Sequence, residues 1–530
     1  MEGCFGRKAR EATAADMDAD RISSLPDEVK HHILSLIPNI KEVVKISSLS
    51  KSWLRTWRSF QITDFDQHLI LPDESSDRFI RFVDDYLMRS HEMPRFRLSA
   101  RATPEMAPHV DRWLGISLDY HVKELSVNIF KVRQIPGKFL YSIPARVLSA
   151  GFMKSLTLDG AVKIDGISTV NLPSLLSLHL SHSHIDNQMF RRLLGGCPFI
   201  EDLSVFCCSP LSEIKVLNLN HLKRMKMTSM RPDLKVVGIE APGLERFCMT
   251  YYFETVHLTI HVSPSVRCLE FTGLYKTDEW FCQFLSELPL LESLTLNGCR
   301  LLERIWISNP LLKKILIMNC DDLLDITIDT PKLSSFSYEA ETTLPSIWTK
   351  NHGLGCAVGF RFYFWREPTT LWFQELQNFL TEWSTAFRCP ELTVHLYQKR
   401  DEGLKDEVNK NVALSAPGIL HLKLLVLGPP QSSYPLILDG LFSTCHPATF
   451  IVRARYPLLE FICEALANRE ENGDGSLGDV ECWKHELKDV KIESFEGNQH
   501  GLPLDQGTIH GLLPVISTWN TVCFRMQWGD

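Results

Sequence analysis

Apolar residues recur along this chain in a pattern that predicts many short strands. From about residue 150 the motif L-x-x-L-x-L, with conservative replacements, is repeated. Clear copies are Leu175-Leu178-Leu180, Ile200-Leu203-Val205, Leu222-Met225-Met227, Leu244-Phe247-Met249, Val266-Leu269-Phe271 and Leu291-Leu294-Leu296. The last two apolar positions of each copy flank one polar or variable residue, as in a strand with one face in the core. The sequence therefore predicts a strand-rich region in which every copy buries one face.

The spacing between copies predicts what joins them. Spacings of roughly 20–25 residues are those of leucine-rich repeats, which stack strands and helices into a solenoid. Apolar residues at helical spacing predict two connecting helices, at residues 186–194 and 278–288. Later copies follow each other after only 10 or 11 residues: Leu302-Ile305-Ile307, Leu312-Ile315-Ile317, Leu323-Ile326-Ile328 and Leu333-Phe336-Tyr338. These short copies leave no room for a helix, so we expect only a turn opposite their strands.

The N-terminal region shows a helical pattern instead of strands. Val29, Ile33 and Ile37 recur every four residues and predict a helix that Pro38 ends. A second helix is predicted around residues 41–46, and a third after Ser50. About 40 residues with this many large apolar groups cannot cover them by folding alone. A surplus apolar surface should therefore dock onto a partner.

In order and spacing, these residues resemble the F-box. The matching motifs are Leu25-Pro26-Asp27-Glu28, Ile33-Leu34, the break at Pro38, Val43-Val44, and Leu49-Ser50-Lys51-Ser52-Trp53 followed by Trp57. The resemblance implies binding of a Skp-type adaptor and, through the adaptor, of a cullin. It assigns the adaptor contact to Leu25, Pro26, Ile33, Leu34, Val43, Val44, Leu49 and Trp53. Ile37-Pro38 replaces the commoner Leu-Pro of the family, and Ser48 stands where a bulkier residue is usual.

The repeats offer a second binding surface, on the strand face that points away from the core. The candidate substrate-binding residues at these positions are His179, Lys226, Glu270, Trp306 and Leu316. Trp306 and Leu316 are apolar where exposure is expected, so they are candidate anchors. The alternative is that both pack under the C-terminal region. The sequence leaves these two possibilities open.

The C-terminal third begins with an apolar helical stretch and ends in another strand motif. Trp372, Phe373, Leu376, Phe379, Leu380 and Trp383 predict an amphipathic helix that packs in a core. The stretch Cys482-Trp483-Lys484, followed by Leu487, Val490 and Ile492, resembles the FBD module that ends many plant F-box proteins. We expect these three aliphatic residues to face the core and Trp483 to cover the last turn. This segment should then act as an FBD-like cap on the open end of the solenoid.

Composition narrows the possible functions. The chain has 530 residues and a formal net charge of −8, without long blocks of one sign, so nucleic acid is not the expected partner. No apolar run is long enough to span a membrane. The 15 cysteines are scattered and form no C-x-x-C pair, which favours free thiols in the cytoplasm and/or nucleus. No metal site and no cofactor are predicted. Because no catalytic motif occurs either, we expect a non-catalytic protein.

Together these patterns predict an α/β fold in which a short helical F-box precedes an irregular leucine-rich-repeat solenoid. The predicted organisation is a disordered N-terminus at 1–20, the F-box at 21–62, leucine-rich repeats at 95–345, a further repeat-like α/β region at 346–470 and the FBD-like cap at 481–526. The implied function is the substrate-recognition subunit of a Skp-cullin-F-box ubiquitin ligase, with an unknown protein substrate. The alternative is a repeat-based protein-interaction scaffold without a ligase role.

Overall fold

The computed structural model describes most of the chain. The described residues are 22, 24–37, 45–46, 49–59, 64–70, 76–88, 93–131, 139–253, 258–341, 343–350, 356–364, 368–386, 391–397, 416–427, 431–468, 482–495, 498–504 and 519–529. The fold is mixed α/β, with short N-terminal helices followed by a strand-rich repeat region, as the sequence predicts. The predicted second helix of the F-box lies outside the described residues, except for Lys45 and Ile46.

The described helices are short, between 4 and 17 residues. They are α1 (Asp27–Ser35), α2 (Lys51–Ser59), α3 (Gln67–Ile70), α4 (Ser76–Leu87), α5 (Ala107–Asp119), α6 (Asn187–Gly195), α7 (Asp278–Ser286), α8 (Thr370–Ala386), α9 (Tyr434–Thr444), α10 (Tyr456–Ala467) and α11 (Cys482–Glu486). The predictions of helices at 186–194 and 278–288 are confirmed by α6 and α7. The Asp186 carboxylate begins α6 by accepting a hydrogen bond of 2.7 Å from the Met189 amide, which stabilises a helix N-terminus.

Strands make up the rest of the regular structure. The first are β1 (Asp64–Asp66), β2 (Arg95–Arg101), β3 (Glu124–Phe130), β4 (Tyr141–Ser142), β5 (Ser155–Gly160), β6 (Val162–Lys163), β7 (Ser177–Ser181), β8 (Asp202–Phe206), β9 (Glu213–Leu217), β10 (Arg224–Ser229), β11 (Val236–Glu240), β12 (Arg246–Tyr251) and β13 (Thr259–Val262). The later strands are β14 (Cys268–Thr272), β15 (Ser293–Asn297), β16 (Arg304–Ser308), β17 (Lys314–Met318), β18 (Asp325–Asp329), β19 (Ser335–Ala340), β20 (Ser346–Thr349), β21 (Ala357–Phe364), β22 (Glu391–Tyr397), β23 (Gly418–Leu427), β24 (His446–Ala454), β25 (Leu487–Phe495), β26 (Asn498–Pro503) and β27 (Asn520–Trp528).

The chain divides into two compact units. Unit 1 comprises Met1–Ser229, Asp233–Gly243 and Thr259–His261, and unit 2 comprises Met230–Pro232, Leu244–Leu258 and Val262–Asp530. In unit 1, the strands β1, β2, β3, β5, β7, β8 and β10 pair in this order, all in parallel. Each strand buries alternate residues, so the apolar positions of the repeat motif form one continuous core layer.

Unit 2 contains two parallel sheets of repeat strands. Its first sheet runs β12, β14, β15, β17, β19, β21, β22, β23 and β24. Its second sheet is formed by β16, β18 and β20. Successive short copies of the motif therefore alternate between the two sheets, and each copy supplies a strand to one of them. The expectation that only a turn lies opposite the strands of the short copies was wrong, because 10 or 11 residues suffice for a second strand.

Several repeat strands end in a turn with the same backbone conformation. The residues at this turn have positive φ: Gly160, His182, Cys207, Gly273, Gly298 and Asn319. In unit 2 the amide of Gly273 donates to the Asn297 carbonyl at 2.7 Å, and the amide of Gly298 donates to the Met318 carbonyl at 2.8 Å. Each turn thus extends the hydrogen bonding to the next strand of the sheet. Since His182, Cys207 and Asn319 adopt the same conformation, glycine is not required at this turn by φ alone.

The end of the first sheet in unit 2 changes from parallel to antiparallel pairing. Strand β27 pairs antiparallel with β24 on one side and with β25 on the other, and β26 pairs with β25. The prediction that Leu487, Val490 and Ile492 face the core is confirmed, since all three are buried. Trp483 is also buried, and its indole packs against Phe442 with ring centroids 4.9 Å apart. This C-terminal segment therefore completes the core of unit 2.

Candidate functional site

The two described helices of the N-terminal module are held together by a small core and a polar network. Leu34 and Trp53 form the core, and Ile33, Ile37 and Ile46 pack against it. The buried Lys30 ammonium donates to the Asp27 carboxylate at 3.0 Å and to the Ser52 hydroxyl at 2.7 Å, which joins α1 to α2. The hydrogen bond and the charge of Lys30 lower the pKa of Asp27. The shared apolar core and the hydrogen bond between Lys30 and Ser52 therefore hold α1 and α2 in one relative position.

The residues predicted to contact an adaptor differ in exposure. Pro26 and Leu49 are exposed, and Leu25 and Ile33 are half-buried. Leu34 and Trp53 lie in the core of the module, where they support its shape. Val43 and Val44 lie outside the described residues. The predicted contact set remains a prediction, with Pro26 and Leu49 its most exposed described members.

Further apolar side chains on the same module are also exposed, beyond those that the motif indicates. The exposed fraction of Leu36 is 67%, close to the 71% of the predicted contact Leu49. Three other large apolar residues of the module are exposed as well: Ile22, Val29 and Leu54. A short helical module with this much apolar surface in water is typical of a protein-binding site. The module therefore has the surface that a partner could cover.

The strand face of unit 1 brings two of the substrate-binding candidates close together. His179 and Lys226 lie on β7 and β10, with Ser204 of β8 between them in register. Burial lowers the pKa of His179, the Lys226 charge lowers it further, and the Asp159 carboxylate opposes both effects. Burial therefore favours the neutral imidazole of His179, and one strand separates it from the strand that carries the exposed Lys226 side chain.

The candidates in unit 2 lie on two different sheets. Glu270 and Leu316 share the first sheet, in a row where Thr295 stands between them. Trp306 lies on β16 of the second sheet, in register with Thr327 and Trp348. Placing Trp306 on the same face as Glu270 and Leu316 was wrong, because the short copies alternate between sheets. Leu316 is half-buried and Trp306 is exposed.

Sequence reasoning missed an aromatic and charged cluster on the first sheet of unit 2. We call Glu339, Arg361, Tyr363, His395 and Tyr397 the aromatic-charged cluster. The guanidinium of Arg361 donates from Nη1 to Oε1 of Glu339 at 2.6 Å, and the Tyr363 hydroxyl donates to Oε2 of Glu339 at 3.0 Å. The rings of Tyr363 and His395 have centroids 4.8 Å apart, and the Tyr397 hydroxyl lies 3.3 Å from Nδ1 of His395. The alternation in residues 357–364 and 391–397 was the signal that could have located these residues.

The electrostatics of this cluster favour neutral rings beside a charged pair. Burial lowers the pKa of His395, the Arg361 charge lowers it further, and Glu339 opposes both. Burial also raises the pKa of Tyr363. Among the described residues, buried side-chain atoms without a hydrogen-bond partner are Nε of Arg361, Nδ1 of His421 and Oγ1 of Thr330. Such atoms are rare in proteins because each costs about 1–3 kcal/mol. The atoms of Arg361 and His421 both lie on this strand face. We therefore regard this face as a candidate binding surface.

The described residues form neither a cluster of metal ligands nor a membrane-spanning helix. In the described part of the chain, no group of three or more His, Cys, Asp or Glu side chains is arranged to hold a metal ion. No described helix is long and apolar enough to cross a membrane.

Comparisons with known proteins agree with an N-terminal helical module followed by a strand-rich repeat region. A model of the F-box domain matches residues 22–65, and a model described as At1g61320/AtMIF1, LRR domain, matches residues 91–274. The F-box/LRR-repeat protein At3g26922 of Arabidopsis thaliana is 31% identical over 291 residues, which are 54% of this chain and 85% of that protein. The F-box/LRR-repeat protein At3g03360 of the same plant is 25% identical over 63% of this chain and 75% of that protein.

Some relatives share less of their length. The F-box/FBD/LRR-repeat protein At4g00160 of Arabidopsis thaliana is 29% identical, over 41% of this chain and 47% of that protein. The chain thus spans about half of the length of such relatives. The name of this relative suggests an FBD segment, while the two family models that match end before residue 275. The F-box match, the repeat match and the similarity over most of At3g26922 establish that this chain belongs to the plant F-box/LRR-repeat protein family.

Proposed function

We propose that this chain is the substrate-recognition subunit of a Skp-cullin-F-box ubiquitin ligase. In this role the F-box binds a Skp-type adaptor, the adaptor connects it to a cullin, and the repeats hold a protein substrate. The chain itself is non-catalytic and acts in the cytoplasm and/or nucleus. The match of residues 22–65 to the F-box domain carries the proposal, and the exposed apolar side chains of that module support it.

The adaptor contact is assigned here by exposure. Leu25, Pro26 and Leu49 contact the adaptor directly, since their side chains are at least partly exposed. Leu34 and Trp53 act indirectly by holding α1 against α2. Apolar anchors of this type contribute most of the binding free energy of an interface. The adaptor therefore covers the surface that the module leaves in water.

Replacing Pro26 and Leu49 together by alanine should weaken adaptor binding by about 30-fold or more. The physical reason is that the loss of one interface anchor costs about 2 kcal/mol or more. Binding of a purified Skp-type adaptor to the full chain would be measured by calorimetry. The matched control replaces Leu176 and Phe199, two exposed apolar residues of the repeats, and should keep full affinity. Undiminished binding by the Pro26→Ala, Leu49→Ala variant would contradict the assigned contact.

The substrate surface is proposed to include the strand face of unit 2. The aromatic-charged cluster offers rigid rings, an acidic group and a guanidinium within a few ångströms of each other. Aromatic and arginine side chains are the commonest anchors of protein interfaces. We assign substrate binding to this cluster together with Glu270 and Leu316, and to His179 and Lys226 on the face of unit 1.

Replacing both Tyr363 and His395 by alanine should remove substrate ubiquitination while adaptor binding is unchanged. The change deletes two rings that contact each other on a half-exposed surface, so the core below remains filled. Proteins that accumulate on the full chain in the presence of a proteasome inhibitor would be identified and then tested for ubiquitination. The control is Leu371→Ala, an exposed apolar change on α8. Equal ubiquitination by both variants would exclude the cluster. Substrate binding by the unchanged chain without any ubiquitination, when adaptor and cullin are present, would favour the scaffold alternative.

A further inference from the structure

Two tryptophans on the second sheet of unit 2 remain exposed. The exposed fraction is 51% for Trp306 and 62% for Trp348. They lie on β16 and β20, in register with Thr327 of the strand between them, so all three side chains point to the same side of the sheet. The opposite side of these strands carries the buried residues Ile305 and Ile326. We call Trp306, Thr327 and Trp348 the tryptophan row.

Large indole rings are costly to leave in water. A Trp side chain buries about 150–250 Å² when it is covered, which makes it a dominant interface residue. The Lys350 ammonium lies 4.9 Å from the ring centroid of Trp306, so this indole is also held by a cation. The tryptophan row is thus an aromatic surface that is partly ordered before any partner arrives.

The spacing of the two indoles matches one specific backbone conformation. Trp306 and Trp348 are two strands apart, and strands are separated by about 4.7–4.9 Å, so their attachment points are about 9.5 Å apart. A polyproline II helix has three residues per turn and rises about 3.1 Å per residue, so residues i and i+3 repeat on one side about every 9.3 Å. A polyproline II peptide that crosses the strands at right angles would place residue i on one indole and residue i+3 on the other.

The charges around the row favour an uncharged ligand. Arg304 pairs with Asp325 at 3.1 Å, and Lys350 pairs with Asp329 at 3.5 Å. These pairs flank the row along the strand direction, one two residues before it and the other two residues after it, and each balances its own charge. A strongly acidic or basic peptide would gain little here and would disturb the existing pairs. Proline-rich segments are uncharged, apolar and preformed, so they complement a neutral aromatic surface.

We propose that the tryptophan row is a docking site for a proline-rich protein segment in the polyproline II conformation. Prolines at positions i and i+3 stack on Trp306 and Trp348. Backbone carbonyls of the segment, which have no internal hydrogen bonds, face the hydroxyl of Thr327 between the indoles. The site is separate from the adaptor surface and from the aromatic-charged cluster, and it does not depend on a ligase role.

The test uses the full chain and a synthetic peptide with prolines at every third position, P-A-A-P-A-A-P-A-A-P. Binding would be followed by calorimetry and by tryptophan fluorescence. We expect measurable binding of this peptide, and at least about tenfold weaker binding by the Trp306→Ala and Trp348→Ala variants. Leu371→Ala serves as a matched surface control and should bind as the unchanged chain does. Circular dichroism would establish that both Trp variants remain folded.

The spacing of the prolines is tested separately with a peptide of the same composition, A-P-P-A-A-A-A-P-P-A, in which no two prolines are three positions apart. This peptide should bind at least about tenfold more weakly, because it cannot place a proline on both indoles. Three results would overturn the proposal: no binding of the first peptide, equal binding by the Trp306→Ala, Trp348→Ala double variant, or preferential binding of a soluble β-linked glucose oligosaccharide. The last result would assign the row to carbohydrate, which also stacks on flat aromatic surfaces.

Discussion

Trp483→Ala is expected to lower the free energy of unfolding of unit 2 by about 3–5 kcal/mol. The side chain is only 2% exposed, and its Nε1 donates to the Asp439 carboxylate at 2.9 Å. Alanine would leave a cavity beside Phe442 and would remove the hydrogen bond from the indole to the Asp439 carboxylate. Because a typical domain is stable by about 5–15 kcal/mol, this is a large share of the total.

Urea unfolding followed by circular dichroism would measure this loss. Trp348→Ala is the matched control, since the same chemical change on an exposed residue should alter the unfolding midpoint very little. Adaptor binding of the Trp483→Ala protein below its unfolding transition should be unchanged. If the variant were as stable as the unchanged chain but no longer held its substrate, the C-terminal segment would be part of the recognition surface instead of the core.

Gly273→Ala is expected to cost about 2–5 kcal/mol through two separate effects. Its φ of +71° is in the left-handed region, where a side chain costs about 1–2 kcal/mol. A Cβ atom at this position would also lie 2.3 Å from the carbonyl oxygen of Tyr251, which belongs to the neighbouring turn. Overpacking against backbone typically adds about 1–3 kcal/mol. The strand ladder between β12 and β14 would have to shift.

Gly298→Ala separates these two effects. Gly298 occupies the equivalent turn with φ of +58°, but the nearest atom to its added Cβ is 4.0 Å away. The free energy of unfolding of this variant should therefore fall only by the conformational cost of the positive φ, about 1–2 kcal/mol. Thermal unfolding of both variants would be compared with that of the unchanged chain. Equal destabilisation would mean that the close approach to Tyr251 relaxes without cost.

Much of the fold could be predicted because the repeat motif reports burial directly. Leu294 and Leu296, for example, are buried at the positions that alternation predicts. The helices α6 and α7 were found because their apolar residues recur at helical spacing. The third helix of the F-box module was expected after Ser50, and α2 begins at Lys51, where the Ser50 hydroxyl accepts from the Trp53 amide at 3.2 Å. Local patterns were sufficient in these cases.

The rest depended on long-range pairing. Nothing in the local pattern distinguishes β15 from β16, since both show two apolar positions flanking one variable residue. Only the register reveals that Trp306 aligns with Trp348, 42 residues later along the chain, and not with Leu316. The aromatic-charged cluster was missed for the same reason. Glu339, Arg361 and His395 belong to three strands, and each looks like an ordinary solvent-facing residue within its own strand.

The alternation of strands between two sheets limits how this region could gain or lose sequence. Hydrogen bonds between equivalent positions of neighbouring strands in one sheet join residues 21 apart, for example Cys299 with Cys320 and Arg304 with Asp325. An insertion of one short copy would transfer every later strand to the opposite sheet. The strands that carry the aromatic-charged cluster would then belong to the other sheet, and the cluster would be lost from its present surface. Duplications and deletions between residues 291 and 350 should therefore be tolerated only in steps of two copies, about 21 residues. The repeats thus have a reading frame of two copies, as a coding sequence has one of three nucleotides.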